Sequence, residues 1–377
     1  MAMGDPRGHA FRLDLREANG ALGDIGTLLP LALGVIALTG LSPPMVRLGF
    51  GLFYIATGLV YRLPIPAQPM KAIAAVVLLG VASPTEIALS GVLIGLVLLG
   101  LGGTGLIDRI RRLVPQSVLS GLQLGLSLAW VAVGLMWKHW LIGALSLGGA
   151  LAALRVGTHA AMLTIATGVG AGMMLGLPEA PVLAAAPWSL GIPDVQELRR
   201  AVTDTALPQL ALTLTNAVVL TSLVAGDLFG ARAAHVTPRR LCLTSGLANL
   251  LLAPLGALPM CHGAGGVAAH HRFGARNGAA PCLIGGMLLV VALLPAQMQG
   301  AVLSAIPTAT LGALLLIAAW DLAVSRRLID ARPSCHPVIA TTALATVLLN
   351  PLWGLFAGTL AELIRKAFIS GFTTWRG

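Results

Sequence analysis

Fourteen apolar segments succeed one another along this 377-residue chain, at approximately 19–40, 46–61, 69–82, 85–103, 116–136, 139–154, 159–177, 208–225, 241–257, 262–271, 279–295, 300–320, 336–349 and 351–364. A helix needs about 20 apolar residues to cross the hydrocarbon core of a bilayer, and within it every backbone polar group must be satisfied internally. A chain divided in this way is confined to one class of fold, an all-α integral membrane protein. Composition agrees. Only 10% of the residues are charged and 56% are hydrophobic, whereas a soluble domain carries about 25% charged residues.

The net charge of +10 does not imply nucleic acid as a partner. The basic residues lie in short clusters between apolar runs, without interleaved aromatics, which is where they orient helices. With the N-terminus in the cytoplasm, 19 of the 24 Lys and Arg fall in cytoplasmic loops or tails, and only Arg47, Lys138, Arg199 and Arg200 fall outside. That asymmetry supports both the segment count and cytoplasmic N- and C-termini. Residues 1–18 read as a cytoplasmic tail and not as a cleavable signal peptide. The four cysteines, Cys242, Cys261, Cys282 and Cys335, form no CxxC pair and no metal-ligand spacing. No nucleophile–base pair or nucleotide loop is present, so neither metal, cofactor nor enzymatic function is expected.

The segments divide into two sets of seven, residues 19–177 and 208–370, joined by a Pro-containing extracytoplasmic linker at 178–207. An odd number repeated twice gives halves of opposite orientation, a 7+7 inverted repeat of the transporter kind. The third and tenth segments are short and Pro/Gly-flanked at matching positions, which points to half-helices at a transport site.

Four elements carry the candidate chemistry. In Leu63-Pro64-Ile65-Pro66-Ala67-Gln68-Pro69-Met70-Lys71, the prolines forbid a regular helix and predict an extended chain with a helix starting at Pro69. Unpaired N–H groups and the positive dipole end at such a start make an anion site, to which Lys71 adds charge and Gln68 an amide donor. Snorkelling to the interface is the alternative for Lys71. The matching element is Pro259-Met260-Cys261-His262-Gly263-Ala264-Gly265-Gly266, whose glycines allow close approach of backbone to ligand. His262 is a hydrogen-bond donor, a protonatable group or a structural link. Asp24, in Gly23-Asp24-Ile25-Gly26-Thr27, is an ionisable group within an apolar run, either a proton carrier or one half of a structural ion pair. Glu17 lies near the tail, where a solvated or interfacial place is expected. Gln209, Thr213 and Asn216 recur on one helical face of the eighth segment, with Thr213 and Asn216 placed to line a cavity or to bond between helices.

Three stretches together resemble the molybdate transporter family, related to the sulfate permease superfamily: residues 20–27, residues 66–75, and residues 261–266 with Arg272 to Arg276. The resemblance covers about residues 15 to 370. It implies a core domain of spans 1–4 and 8–11 that carries substrate between the third and tenth helix starts, moving as an elevator against a gate domain of spans 5–7 and 12–14, often in a homodimer. The chain ends soon after its last segment, so no C-terminal regulatory domain is expected. The substrate expected on this basis is molybdate, with sulfate transport, anion exchange or a channel-like pathway as alternatives. The anion would be held by Ile25, Gly26, Thr27, Gln68, Pro69, Met70, Lys71, Thr213, Asn216, Cys261, His262, Gly263, Gly265 and Gly266. Coupling to a proton or sodium ion would run through Asp24, Glu17 or His262. A multi-pass protein of a prokaryotic inner membrane, surrounded by lipid, is the expected setting.

Overall fold

The computed structural model describes residues 11–39, 41–78, 82–136, 139–156, 159–175, 193–295, 298, 305–324, 326–349 and 351–374. Each of the fourteen apolar segments holds a helix. The first is broken into α1 (Leu15–Gly23) and α2 (Ile25–Thr39), with Asp24 at the break. Then come α3 (Pro43–Tyr61), a two-residue strand β1 (Gln68–Pro69) and the short α4 (Lys71–Leu78). The helices Pro84–Thr104, Gln116–Gly134, Trp140–Val156 and Ala160–Met174 complete the first half. In the second half a second strand, β2 (Met260–Cys261), precedes the short helix Ala264–Arg272.

Two boundaries differ from the sequence expectation. The eighth segment does not begin at 208: helix runs continuously over Val195–Ala233, so residues 195–207 are not linker. The start is fixed by a reciprocal cap, Glu197 N–H donating to Asp194 Oδ1 at 2.7 Å and Asp194 N–H to Glu197 Oε2 at 3.1 Å. A proline inside a helix removes one hydrogen bond and crowds the preceding turn. Here the backbone widens into π-helix at Ala201–Ala206, just before Pro208, and again at Thr213–Leu220. Residues 178–192 of the expected linker lie outside the described residues. The second difference is the start of α4 at Lys71 rather than Pro69, because Pro69 is held in β1.

Pro43–Tyr61, Pro84–Thr104 and Val195–Ala233 are long and apolar enough to cross a membrane, and several shorter apolar helices accompany them. Leu145, Leu344, Leu348, Trp353, Phe356, Leu360 and Leu363 are all exposed, an apolar surface that water would not tolerate and lipid would. The protein is therefore a multi-pass membrane protein. Two helix pairs dominate the larger core: α3 with Ala279–Leu293, and Pro84–Thr104 with Pro238–Leu252. A second group of helices surrounds Gln116–Gly134, which packs on Thr308–Ala323, His336–Leu348 and Pro351–Thr374.

The second group is held by small residues. Thr342 and Thr346 form a ridge on His336–Leu348, and glycines spaced by four flank it on both sides. A Cβ added at Gly121 or Gly125 would lie 2.4 or 2.6 Å from the Cβ of Thr342 or Thr346. One added at Gly354 or Gly358 would lie 2.0 or 2.1 Å from a threonine hydroxyl. Lipid-embedded helices associate through such close packing, since lipid gives no hydrophobic drive between them. Gly358→Leu should therefore destabilise the fold by about 1–3 kcal/mol, seen as a lower unfolding midpoint in detergent. An unchanged midpoint would show that this ridge is not a packing constraint.

Candidate functional site

The site is built from two interrupted helices that meet start to start. Prolines at 64, 66 and 69 keep the chain extended after α3, and β1 pairs antiparallel with β2, Gln68 opposite Cys261 and Pro69 opposite Met260. The Met70 N–H continues the ladder to Pro259 O at 3.0 Å, while Met70 O accepts from Ala74 N–H at 2.9 Å and so opens α4. On the other side Gly263 caps Ala264–Arg272, its carbonyl accepting from Val267 N–H at 3.2 Å. Asn249 fixes β2 from behind, donating to Met260 O at 2.6 Å and accepting from Met260 N–H at 2.8 Å. Two helix N-termini, each a cluster of N–H donors at the positive end of a dipole, are thereby brought together in the protein interior.

A small pocket beside the strand pair is lined by Gln68, Pro69, Lys71, Gln209, Leu212, Asn216, Ala217, Cys261 and His262. The wall opposite α4 is the π-helical stretch 213–220 and the turn before it. π-helical turns inside α-helices are frequent at functional sites. Gln209 does the work of a helix cap from a distance: its Oε1 accepts from Ala72 N–H at 2.7 Å and from Ile73 N–H at 3.4 Å. Its Nε2 donates to Thr213 Oγ1 at 2.9 Å, which fixes the orientation of the amide. Asn216 is 5% exposed, and its Oδ1 has no hydrogen-bond partner among the described residues.

Asp24 sits on the far side of Gln68. Tyr54 Oη donates to its Oδ2 at 2.5 Å and Gln68 Nε2 to its Oδ1 at 3.0 Å, with His270 Nε2 3.5 Å from Oδ2. All four side chains are buried. The glycines of the second helix make room for them. A Cβ at Gly263 would lie 2.0 Å from Gln68 Oε1, and one at Gly266 would lie 2.5 Å from Gln68 Nε2 and 2.8 Å from Asp24 Oδ1. The Gln68 amide and the Asp24 carboxylate thus lie directly over the first turn of Ala264–Arg272.

Of the residues singled out in the sequence, Gln68, Pro69, Lys71, Asn216, Cys261 and His262 meet at the pocket. Asp24, Gly263 and Gly266 stand immediately behind it, and Thr213 supports Gln209. Met70 is wholly buried in the apolar core and Gly265 is buried in the first turn of its helix. Ile25 packs with Leu29 and Leu311, and Gly26 abuts the backbone of Leu311, both away from the pocket. The side chain of Thr27 lies outside the described ones. Glu17 is not solvated but 3% exposed: it accepts from Arg276 N–H at 2.8 Å and Asn277 N–H at 3.4 Å, closing the loop after the second short helix. His262 bonds Pro66 O through Nδ1 at 2.9 Å and Thr244 Oγ1 through Nε2 at 2.8 Å, with Tyr61 Oη next in line.

Tyr54, Thr244 and His270 are not evident from sequence reasoning. A signal existed for the first: the chain has two tyrosines, Tyr54 and Tyr61, seven residues apart and so on one helical face. Among the described residues no group of three His, Cys, Asp or Glu could hold a metal ion.

Residues 16–130 and 201–322, more than half of the chain, match the family described as "Molybdate transporter of MFS superfamily". Molybdate transporter 1 of Arabidopsis thaliana is 28% identical over 94% of this chain and 89% of its own length. Molybdate transporter 2 of the same plant is 28% identical over 93% and 87%. Among solved structures, the transmembrane domain of the cyanobacterial bicarbonate transporter BicA superposes with a TM-score of 0.62 at 17% identity, covering 92% of this chain and 98% of that one. The murine Slc26a9 anion transporter in its inward-facing state gives 0.62 at 11% identity, covering 96% and 70%. These two similarities establish the fold, and the family match, over more than half of the sequence, establishes that the chain belongs to the molybdate transporter family.

Proposed function

We propose that the chain carries a tetrahedral oxyanion, molybdate, across the membrane by alternating access, with the anion seated between the starts of α4 and Ala264–Arg272. The observation that carries this reading is the antiparallel β1–β2 pair, which turns two helix N-termini toward one pocket with Lys71 in its wall. Fixed N–H donors and one buried cation offset the lost hydration of a dianion. The printed names of the curated relatives supply the choice of molybdate.

The finer architecture is part of the proposal. Numbering the apolar segments 1 to 14, α3 with Ala279–Leu293 is the pair 2·11, and Pro84–Thr104 with Pro238–Leu252 is 4·9. Exchanging each segment for the one seven places away converts the first pair into the second. The same exchange converts segments 6·7 into 13·14, and both pairs pack. This pattern supports a 7+7 inverted repeat, with a core of spans 1–4 and 8–11 sliding as an elevator against a gate of spans 5–7 and 12–14. Positive-inside asymmetry supports cytoplasmic termini, and a prokaryotic inner membrane is the setting of this reading. Moving a dianion into a negative interior costs roughly 2.3 kcal/mol per charge per 100 mV, so concentrative uptake requires a coupled ion or exchange for another anion, with Asp24 a candidate carboxylate for a coupled cation.

Labelled molybdate uptake into proteoliposomes tests the proposal, with excess sulfate as competitor. Saturable uptake that resists sulfate and falls at least tenfold in Lys71→Ala is expected. Uptake abolished by equimolar sulfate would make this a sulfate carrier, and an unaffected variant would remove Lys71 from the site. A second prediction concerns Gln209, whose carbonyl occupies the α4 N-terminus that the anion would approach. Gln209→Ala should cost about 1 kcal/mol of stability, as loss of a cap does. Molybdate should then raise the unfolding midpoint more in the variant than in the wild type. A smaller shift would mean that Gln209 binds the anion directly.

A further inference from the structure

We infer that Asn19 is a latch between the two helical groups: its side-chain amide holds them in the position seen here, and each movement of the anion-bearing core against the other group breaks that hold. Asn19 lies on α1 and is 4% exposed. Its Nδ2 donates to the carbonyl of Phe273, in the loop that follows Ala264–Arg272. Its Oδ1 accepts from Met162 N–H at 2.9 Å. Met162 stands in the first turn of Ala160–Met174, a helix that packs on Trp140–Val156 and on Thr308–Ala323 of the second group. One amide therefore ties the first helix of the core and the loop after its second short helix to the start of a helix on the other side.

The first N–H groups of a helix have no partner within it and need one from outside. Ala160–Met174 begins at His159, whose side chain makes no capping hydrogen bond. Leu163 N–H donates to His159 O at 3.0 Å, so the Met162 N–H, one residue earlier, is among the donors left over at the helix start. The carboxamide that satisfies it comes from the other group of helices. Both ends of that carboxamide are used, the amino end by Phe273 and the carbonyl end by Met162, so its orientation is fixed. A serine, threonine or aspartate at position 159 would have capped the helix locally. With histidine there, the cap depends on where the core stands.

The contact around this amide is apolar. Phe273 clusters with Ala150, Ala153, Ala160, Leu314 and Ile317, and Ile25 and Leu29 cluster with Leu311. Apolar surfaces that slide past one another exchange one neighbour for the next at little cost. A buried carboxamide does not, because a lost partner leaves a polar group uncompensated on each side. Asn19 thus singles out one register of the core against the other group. It does not line the pocket, so it acts on movement and not on contact with the anion. The inference rests on the core-and-gate reading given above, and its test separates the two.

Two variants test the contact from its two sides. Asn19→Ala removes the acceptor, and Met162→Pro removes the donor in a first helical turn, where proline costs no internal hydrogen bond. Spin labels at Leu251 and Leu344, exposed positions on the two groups, report their separation in a cysteine-free background. Uptake and equilibrium binding of labelled molybdate are measured alongside. Both variants should deplete the wild-type distance in favour of a second by about fivefold, the worth of one hydrogen bond. Uptake per folded molecule should rise, while the Kd for molybdate stays unchanged. A distance distribution that neither variant alters overturns the inference, and so does uptake lost with the distances unaltered, the mark of a merely structural cap. Should neither variant fold, amide exchange at Met162 in the wild type decides: it should quicken when molybdate on both sides of the membrane drives turnover, and exchange as slow with molybdate as without refutes the latch. A wild type that takes up no molybdate would instead refute the transport reading, and the label distances would still judge the latch.

Discussion

Backbone polar groups in the membrane interior must find partners inside the protein, and the β1–β2 pair is where this chain meets that demand without a continuous helix. Three prolines in six residues make helix impossible before Lys71. The extended segment that results pairs instead with residues 259–261. Everything at the site follows from that pairing. It sets the two short helices start to start, places Gln68 over Gly263 and Gly266, and leaves the pocket between α4 and the π-helical turn of Val195–Ala233.

The pairing also concentrates polar side chains where the protein is otherwise apolar. Gln209 satisfies one helix start, Gln68 lies over the other, and the buried carboxylate of Asp24 is held by a tyrosine, an amide and a histidine. Neutral carboxamides are suited to this place. Gln209 satisfies helix N–H groups in the absence of an anion, and neither amide adds a charge that an arriving dianion would have to overcome. Lys71 also lines the pocket, and on the proposed reading its ammonium favours an anion there.

The broad fold was legible because its signal is redundant. Fourteen apolar segments, a low content of charged residues and two Pro/Gly interruptions all reflect the same solvent, and all are local in sequence. The half-helix starts were legible for the same reason, although strand pairing moved the first from Pro69 to Lys71. The helix over 195–207 could have been read from the Asp194-x-x-Glu197 cap but was masked by Pro208, whose disruption the π-helix absorbs. Partnerships across the fold were not legible. Nothing near Gln209 indicates that it caps a helix 137 residues away, and His270 gains meaning only when Asp24 is brought beside it. Glu17 was misjudged for a related reason, since proximity to the tail says nothing about the loop that folds over it.

The central claim is positional: the anion sits between the starts of α4 and Ala264–Arg272. Anomalous diffraction at the molybdenum edge, from crystals grown with molybdate, locates the metal atom directly. The account predicts one peak beside Gln68, Lys71 and the first turn of the second short helix, lost in Lys71→Ala. A molybdenum peak elsewhere in the protein, with this pocket empty, would contradict it.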